Sequence, residues 1–108
     1  RLVKGISVLM GEYKNRLRPL FKRLYKHELL NNLFYHPYTK IEFIEKDMMV
    51  QRKTATKYLD MIVSEGLLEK IKVGRTNYYM NNRLIDLFMN HQDKESQNVD
   101  VIESVYGK

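Results

Sequence analysis

No cysteine occurs among the 108 residues, which removes disulfide frameworks, thiolate metal sites and cysteine nucleophiles together. Only five glycines are present and they are scattered, so there is no glycine-rich loop to cradle a phosphate. No apolar run approaches the roughly 18 residues needed to cross a bilayer. Leu2 to Met10 is broken by Lys4, Gly5 and Ser7, so this stretch is not expected to act as a secretory leader. His27, His36 and His91 lack close ligand spacing, which argues against zinc. No serine sits in a nucleophile-elbow context. Glu42, Glu45 and Asp47 crowd one short segment and read as a solvated face rather than an acid–base pair. These absences predict a cytoplasmic chain with no membrane partner, no metal, no cofactor and no catalysis of its own.

What is present suits one small domain with flanking segments. Apolar residues make up 44% of the chain, enough for one compact core. Formal net charge is +6, which invites a nucleic-acid reading, but the distribution is uneven. Residues 1–25 hold seven Lys/Arg against one Glu, a net +6, whereas residues 26–90 hold ten basic and eight acidic side chains, a net +2. Residues 91–108 hold two basic and four acidic, a net −2. The chain opens at Arg1 inside a helical pattern and reads as a fragment of a longer protein.

Apolar residues at Leu2, Val3, Ile6, Leu9, Met10, Tyr13 and Leu17 step by three and four, predicting an amphipathic helix from 2 to about 17. Pro19 biases Arg18 away from helical geometry, so that helix is expected to end or kink there. A second helix is predicted through Leu24, His27, Leu30, Leu33 and Phe34, leaving by the aromatic run Phe34-Tyr35-His36-Pro37-Tyr38. Thr39 with Glu42 three residues on has the form of a capping box, opening a short helix through Ile41 and Ile44. A turn over 47–50 then leads to the most strongly patterned helix, Arg52 to Glu65. There Ala55, Leu59, Ile62 and Val63 share one face, and Gly66 occupies the C-cap position. Two helices joined by so short a turn form a helix-turn-helix. A strand with Leu67, Leu68, Ile71 and Val73, a turn over Gly74-Arg75-Thr76-Asn77 and a return strand Tyr78-Tyr79-Met80 predict a β-hairpin wing. A last helix through Leu84, Ile85, Leu87 and Phe88 closes the core, and residues 91–108 read as a polar, mobile tail. The fold class expected is mainly α with a small β-hairpin, a winged helix-turn-helix preceded by an amphipathic helix.

Turning Ala55, Leu59, Ile62 and Val63 inward leaves Arg52, Lys53, Thr56, Lys57 and Asp60 outward. A recognition helix enters the major groove with its N-terminal residues near base edges and phosphates. Arg pairs bidentately with guanine, and Lys and Thr suit phosphates or bases. The candidate DNA-binding residues are therefore Arg52, Lys53, Thr54, Thr56 and Lys57 on the helix, with Lys70, Lys72, Arg75 and Asn77 on the wing. Asn77 is expected at the wing tip. Helix and wing each carry a local +3, but Asp60, Glu65 and Glu69 lie close by, and a helix face with three cations also occurs as ordinary solvated surface. Tyr58, Tyr78 and Tyr79 are read as core or core-flanking residues ahead of base-stacking ones.

The run Glu28-Leu29-Leu30-Asn31-Asn32-Leu33-Phe34-Tyr35-His36-Pro37-Tyr38-Thr39-Lys40-Ile41 resembles the start of the C-terminal winged-helix domain of Fic family proteins. The resemblance continues through Arg52 to Leu59, Glu65-Gly66-Leu67-Leu68-Glu69, and Val73-Gly74-Arg75 to Tyr78-Tyr79, covering residues 24–89. Thr-Ala-x-x-Tyr-Leu and Gly-Leu-Leu-Glu occur in many winged helices; His-Pro-Tyr-Thr before the first short helix is what points to Fic proteins. The resemblance implies that residues 1–23 are a helix from the end of a preceding Fic-like domain, 24–90 the winged-helix domain and 91–108 the tail. It also implies a parent protein that transfers AMP from ATP to hydroxyl side chains of target proteins. The Fic signature His-x-Phe-x-Asp/Glu-Gly-Asn-Gly-Arg is missing, since His36-Pro37-Tyr38 is followed by Thr39-Lys40-Ile41. Gln51 stands where such helices carry a serine cap, a poorer choice by about 1 kcal/mol.

Two functions remain open on the sequence. One is a DNA-binding regulatory module whose partner is double-stranded DNA. The other is a protein-interaction or homodimerisation module, using the apolar face of residues 2–17 and the apolar residues of Val99 to Tyr106, that positions the Fic catalytic domain of the same chain.

Overall fold

The computed structural model describes residues 2–95. Helix α1 spans Leu2–Phe21, and a single 3₁₀ turn at Lys22–Leu24 leads to α2, His27–Tyr35. Strand β1 is Tyr38–Thr39, α3 is Ile41–Met48 and α4 is Arg52–Ser64. The hairpin strands are β2, Glu69–Val73, and β3, Thr76–Met80; α5, Asn82–Glu95, follows. The fold is thus mainly helical, with α3 and α4 forming the helix-turn-helix and β2–β3 the wing. Five of the residues assigned to the tail, 91–95, continue α5; the rest of the tail lies outside the described residues.

Helix α1 runs through Pro19 instead of ending before it. Proline deletes one i→i−4 hydrogen bond, but Leu17 and Phe21 on either side are buried, and Phe21 packs edge-on to Tyr58 of α4 with ring centroids 5.1 Å apart. Burying that last turn outweighs the local preference. The left-handed Lys22, at φ 55°, then stops the helix. Leu24, expected inside α2, falls in the 3₁₀ turn and is exposed.

Thr39 does not cap α3. It belongs to β1, which pairs with β3 in the register Tyr38↔Met80 and Thr39↔Tyr79. Its buried hydroxyl donates to Asn32 Oδ1 at 2.7 Å. The N-cap position falls to Lys40, which makes no side-chain cap. The helix-turn-helix turn is carried by Met49, left-handed at φ 54°, with Val50 N–H donating to the Glu45 carbonyl.

Helix α4 ends as its sequence predicts. Gly66 takes φ 78°; its N–H donates to the Val63 carbonyl, and Leu67 N–H donates to that of Ile62. This is the double bond of a Schellman cap. A Cβ at Gly66 would meet no atom within 4 Å, so Gly66→Ala tests backbone strain alone. It is expected to lower stability by about 1 kcal/mol, read as a shifted urea midpoint with unchanged slope.

The hairpin turns at Gly74-Arg75, between paired Val73 and Thr76, with Gly74 at φ 62°. That is the position a type II′ turn gives to glycine. Strand order is β1-β3-β2. The core unites Leu9, Tyr13 and Leu17 of α1 with Leu29 and Leu33 of α2, Ile44 of α3, Leu59 and Ile62 of α4, and Tyr79 and Leu84. Asn81, fully buried, ties these layers together. Its Nδ2 donates to the Leu33 carbonyl at 3.0 Å, and its Oδ1 caps α5 by accepting Leu84 N–H at 3.1 Å. Its backbone N–H donates to the Pro37 carbonyl at 2.8 Å. The single proton of the Tyr13 hydroxyl is shared between Asn81 Oδ1, at 2.8 Å, and the Leu67 carbonyl, at 2.6 Å.

Candidate nucleic-acid interface

Helix α4 buries Ala55, Tyr58, Leu59 and Ile62, which fixes its rotation. Arg52, Lys53 and Lys57 are exposed, with Lys53 and Lys57 one turn apart. Thr54 and Thr56 are half-buried. The Thr56 hydroxyl donates to the Arg52 carbonyl at 2.9 Å, so only its oxygen lone pairs stay available to an outside donor. Gln51 makes no side-chain cap, leaving the first-turn N–H groups of α4 without the side-chain oxygen that usually satisfies one of them.

On the wing, register decides which side chains join the helix. Lys70 faces Tyr79 and Lys72 faces Asn77 across the β2–β3 ladder. Directly opposed residues share a sheet face, so Lys70, Lys72 and Asn77 stand on the side of Tyr79. The Tyr79 ring is fully buried, and its hydroxyl finds no hydrogen-bond partner among the described residues. Burial pushes its pKa up; Asp60 adds to the rise and Arg52 opposes it. Tyr79 is buried in the core that Ala55, Leu59 and Ile62 of α4 also enter, so Lys70 and Lys72 stand on the sheet face turned to that core. Arg75 is exposed at the turn. Asn77 is not at the tip but inside β3 and half-buried, because the two-residue turn is tighter than the four-residue one expected.

Arg52, Lys53 and Lys57 are thus exposed on α4, Lys70 and Lys72 are exposed on the sheet face that carries Tyr79, and Arg75 is at the turn. Among the described residues the ion pairs are Arg16–Glu65 at 3.2 Å and Arg83–Glu12 at 2.6 Å; none of the six cations takes part. Glu69, a neighbour in sequence, pairs with Met80 in register and so lies on the other sheet face, where it accepts from Asn82 Nδ2. Asp60 alone among the nearby acids shares the outer side of α4.

One basic segment escaped the sequence-based set. Arg18, Lys22, Arg23 and Lys26 are exposed around the 3₁₀ turn, and the Phe21–Tyr58 contact sets that turn beside α4. The signal was in the charge count of residues 1–25, but only a tertiary contact says where those charges lie.

A family model for the C-terminal domain of SoFic-like protein adenylyltransferases matches residues 9–84. The chain belongs to that family. The match takes in the latter part of α1, the helix-turn-helix and the wing. No helix among the described residues is long and apolar enough to cross a membrane.

Proposed function

We propose that the α4–wing face binds double-stranded DNA and that the domain is a regulatory winged-helix module of a Fic protein. The catalytic domain of that protein transfers AMP to target proteins. The observation that carries this reading is six exposed cations, three on α4 and three on the wing, none of them in an ion pair among the described residues. An uncapped helix N-terminus adds partial positive charge at the same place. The alternative, self-association through the apolar face of residues 2–17, has less support, because Leu9, Tyr13 and Leu17 are buried in the chain's own core.

Fluorescence anisotropy with a mixed-sequence duplex pool tests the proposal. With about six phosphate contacts, affinity is expected to fall roughly a thousandfold between about 50 and 200 mM salt. Lys57→Ala and Lys72→Ala should each reduce the salt slope by about 1. An absence of binding at about 50 mM salt overturns the proposal.

A further inference from the structure

The sheet face opposite Tyr79 is only partly covered among the described residues. Alternation puts Ile71 and Val73 of β2, Tyr78 of β3 and Tyr38 of β1 on it, with Val73 60% exposed. Tyr38 meets Tyr78 edge-on at 5.4 Å. On its other side it stacks with His36 at 6.1 Å, and His36 in turn meets Tyr35 at 4.4 Å. This aromatic strip ends at α2 and α3 in a cleft of about 190 Å³ walled by Tyr35, His36, Tyr38 and Phe43. A second cleft of about 250 Å³ adjoins it and shares Asn32, Tyr35 and Asp47.

Where the two clefts meet, a carboxylate is held in place. Thr39 Oγ1 donates to Asn32 Oδ1 at 2.7 Å, and Asn32 Nδ2 donates to Asp47 Oδ2 at 2.7 Å. Thr39 and Asn32 are buried, whereas Asp47 is exposed. The relay therefore fixes an acceptor at the edge of aromatic walls while leaving its other oxygen uncommitted. Asp47 forms no ion pair among the described residues, although Lys46 stands at the rim. Farther along the strip the aromatic faces already hold one cation. Lys40 Nζ lies 5.4 Å from the Phe43 ring centroid and 5.6 Å from that of Tyr78.

We propose that this cleft receives an arginine side chain from a protein partner, its guanidinium stacked on the tyrosine rings and paired with Asp47. Aromatic faces attract cations, and a planar guanidinium both stacks and meets a carboxylate in a fork, which a lysine ammonium does not. A phosphate or an acidic peptide could reach the exposed Lys46 but would bring its charge against Asp47, the one charged group of the cleft that a hydrogen bond holds in place, so the fixed carboxylate favours a cation. The adjoining cleft gives the residues beside the arginine somewhere to lie. The Tyr38 wall of this site is on the opposite sheet face from Lys70 and Lys72, and the site does not depend on DNA binding.

The test is an amide NMR titration of the full 108-residue chain with acetyl-Gly-Arg-Gly-amide, alongside the lysine, citrulline and glutamate versions. The arginine peptide is expected to shift resonances from Tyr35 to Phe43 and at Asp47. Citrulline, which keeps the shape without the charge, should bind about tenfold more weakly. Asp47→Asn should remove about the same factor from arginine binding and leave citrulline binding unchanged. Tyr35→Ala, at a side chain 80% exposed and so dispensable to the fold, should weaken both peptides. Equal binding of citrulline and arginine overturns the proposal. So does an arginine affinity unchanged in Asp47→Asn, or stronger shifts at these residues from the glutamate peptide. Should Asp47→Asn lose its native spectrum, an unchanged arginine affinity in Tyr35→Ala overturns it alone.

Discussion

Replacing Asn81 with alanine is expected to lower stability by about 3 kcal/mol, through lost hydrogen bonds, a lost cap and a small cavity. The truncated side chain abandons the buried Leu33 carbonyl, the Leu84 N–H at the start of α5 and its contact with the Tyr13 hydroxyl. None of these groups has water at hand to replace it, since Asn81 is fully buried. The desolvation cost is therefore felt in full and not softened as at a surface. Small domains hold only about 5–15 kcal/mol in total, so the loss is visible as a large fall in urea midpoint followed by circular dichroism. A change under about 1 kcal/mol would show that the polar cluster is replaceable.

Alkaline pH is expected to destabilise the domain through Tyr13. Burial pushes its pKa from 10.0 up to about 12, with Arg83 opposing the rise, Glu12 adding to it and Arg16 opposing it more weakly. A group whose pKa is raised on folding keeps its proton longer in the folded state than in the unfolded one. Its contribution is complete below the unfolded value and is lost as pH climbs from about 10 to about 12. Two pKa units correspond to about 3 kcal/mol. Tyr25 and Tyr79 are raised by burial in the same direction. Urea midpoints measured at pH 8, 10 and 11 should fall for the parent chain and fall less for Tyr13→Phe. Parallel curves for the two proteins would rule out Tyr13 as the source.

The sequence made α4 legible because four buried positions repeat at helical spacing and Gly66 ends them. The hairpin was legible from Gly74-Arg75 and its flanking β-branched and aromatic residues. What stayed hidden depended on partners distant in the chain. Two residues, Tyr38 and Thr39, are too few to show a strand period, and they become β1 only because β3 arrives beside them. Pro19 reads as a stop locally, yet burial of Phe21 carries α1 past it. The candidate interface was half legible. Residue types named its cations, but cross-strand register showed that Lys70 and Lys72 share the face of buried Tyr79 while Glu69 does not. The Asn32 relay lay out of reach altogether, because Thr39, Asn32 and Asp47 come from three separate elements and each alone is an ordinary polar residue.

Strand β3 is the middle strand of its sheet, bonded on one side to β2 and on the other to β1. Since β1 lies between α2 and α3 and pairs with Tyr79 and Met80, the wing is fastened beside the helix-turn-helix at its root, while Thr76 and Asn77 toward the tip pair with β2 alone. The wing is thus a lever clamped at its base by two neighbouring strands and held at its end by one, so its tip is where the opening beside α4 can give. On the proposed reading, a duplex would be positioned by the fixed root and met by a tip able to follow its contour.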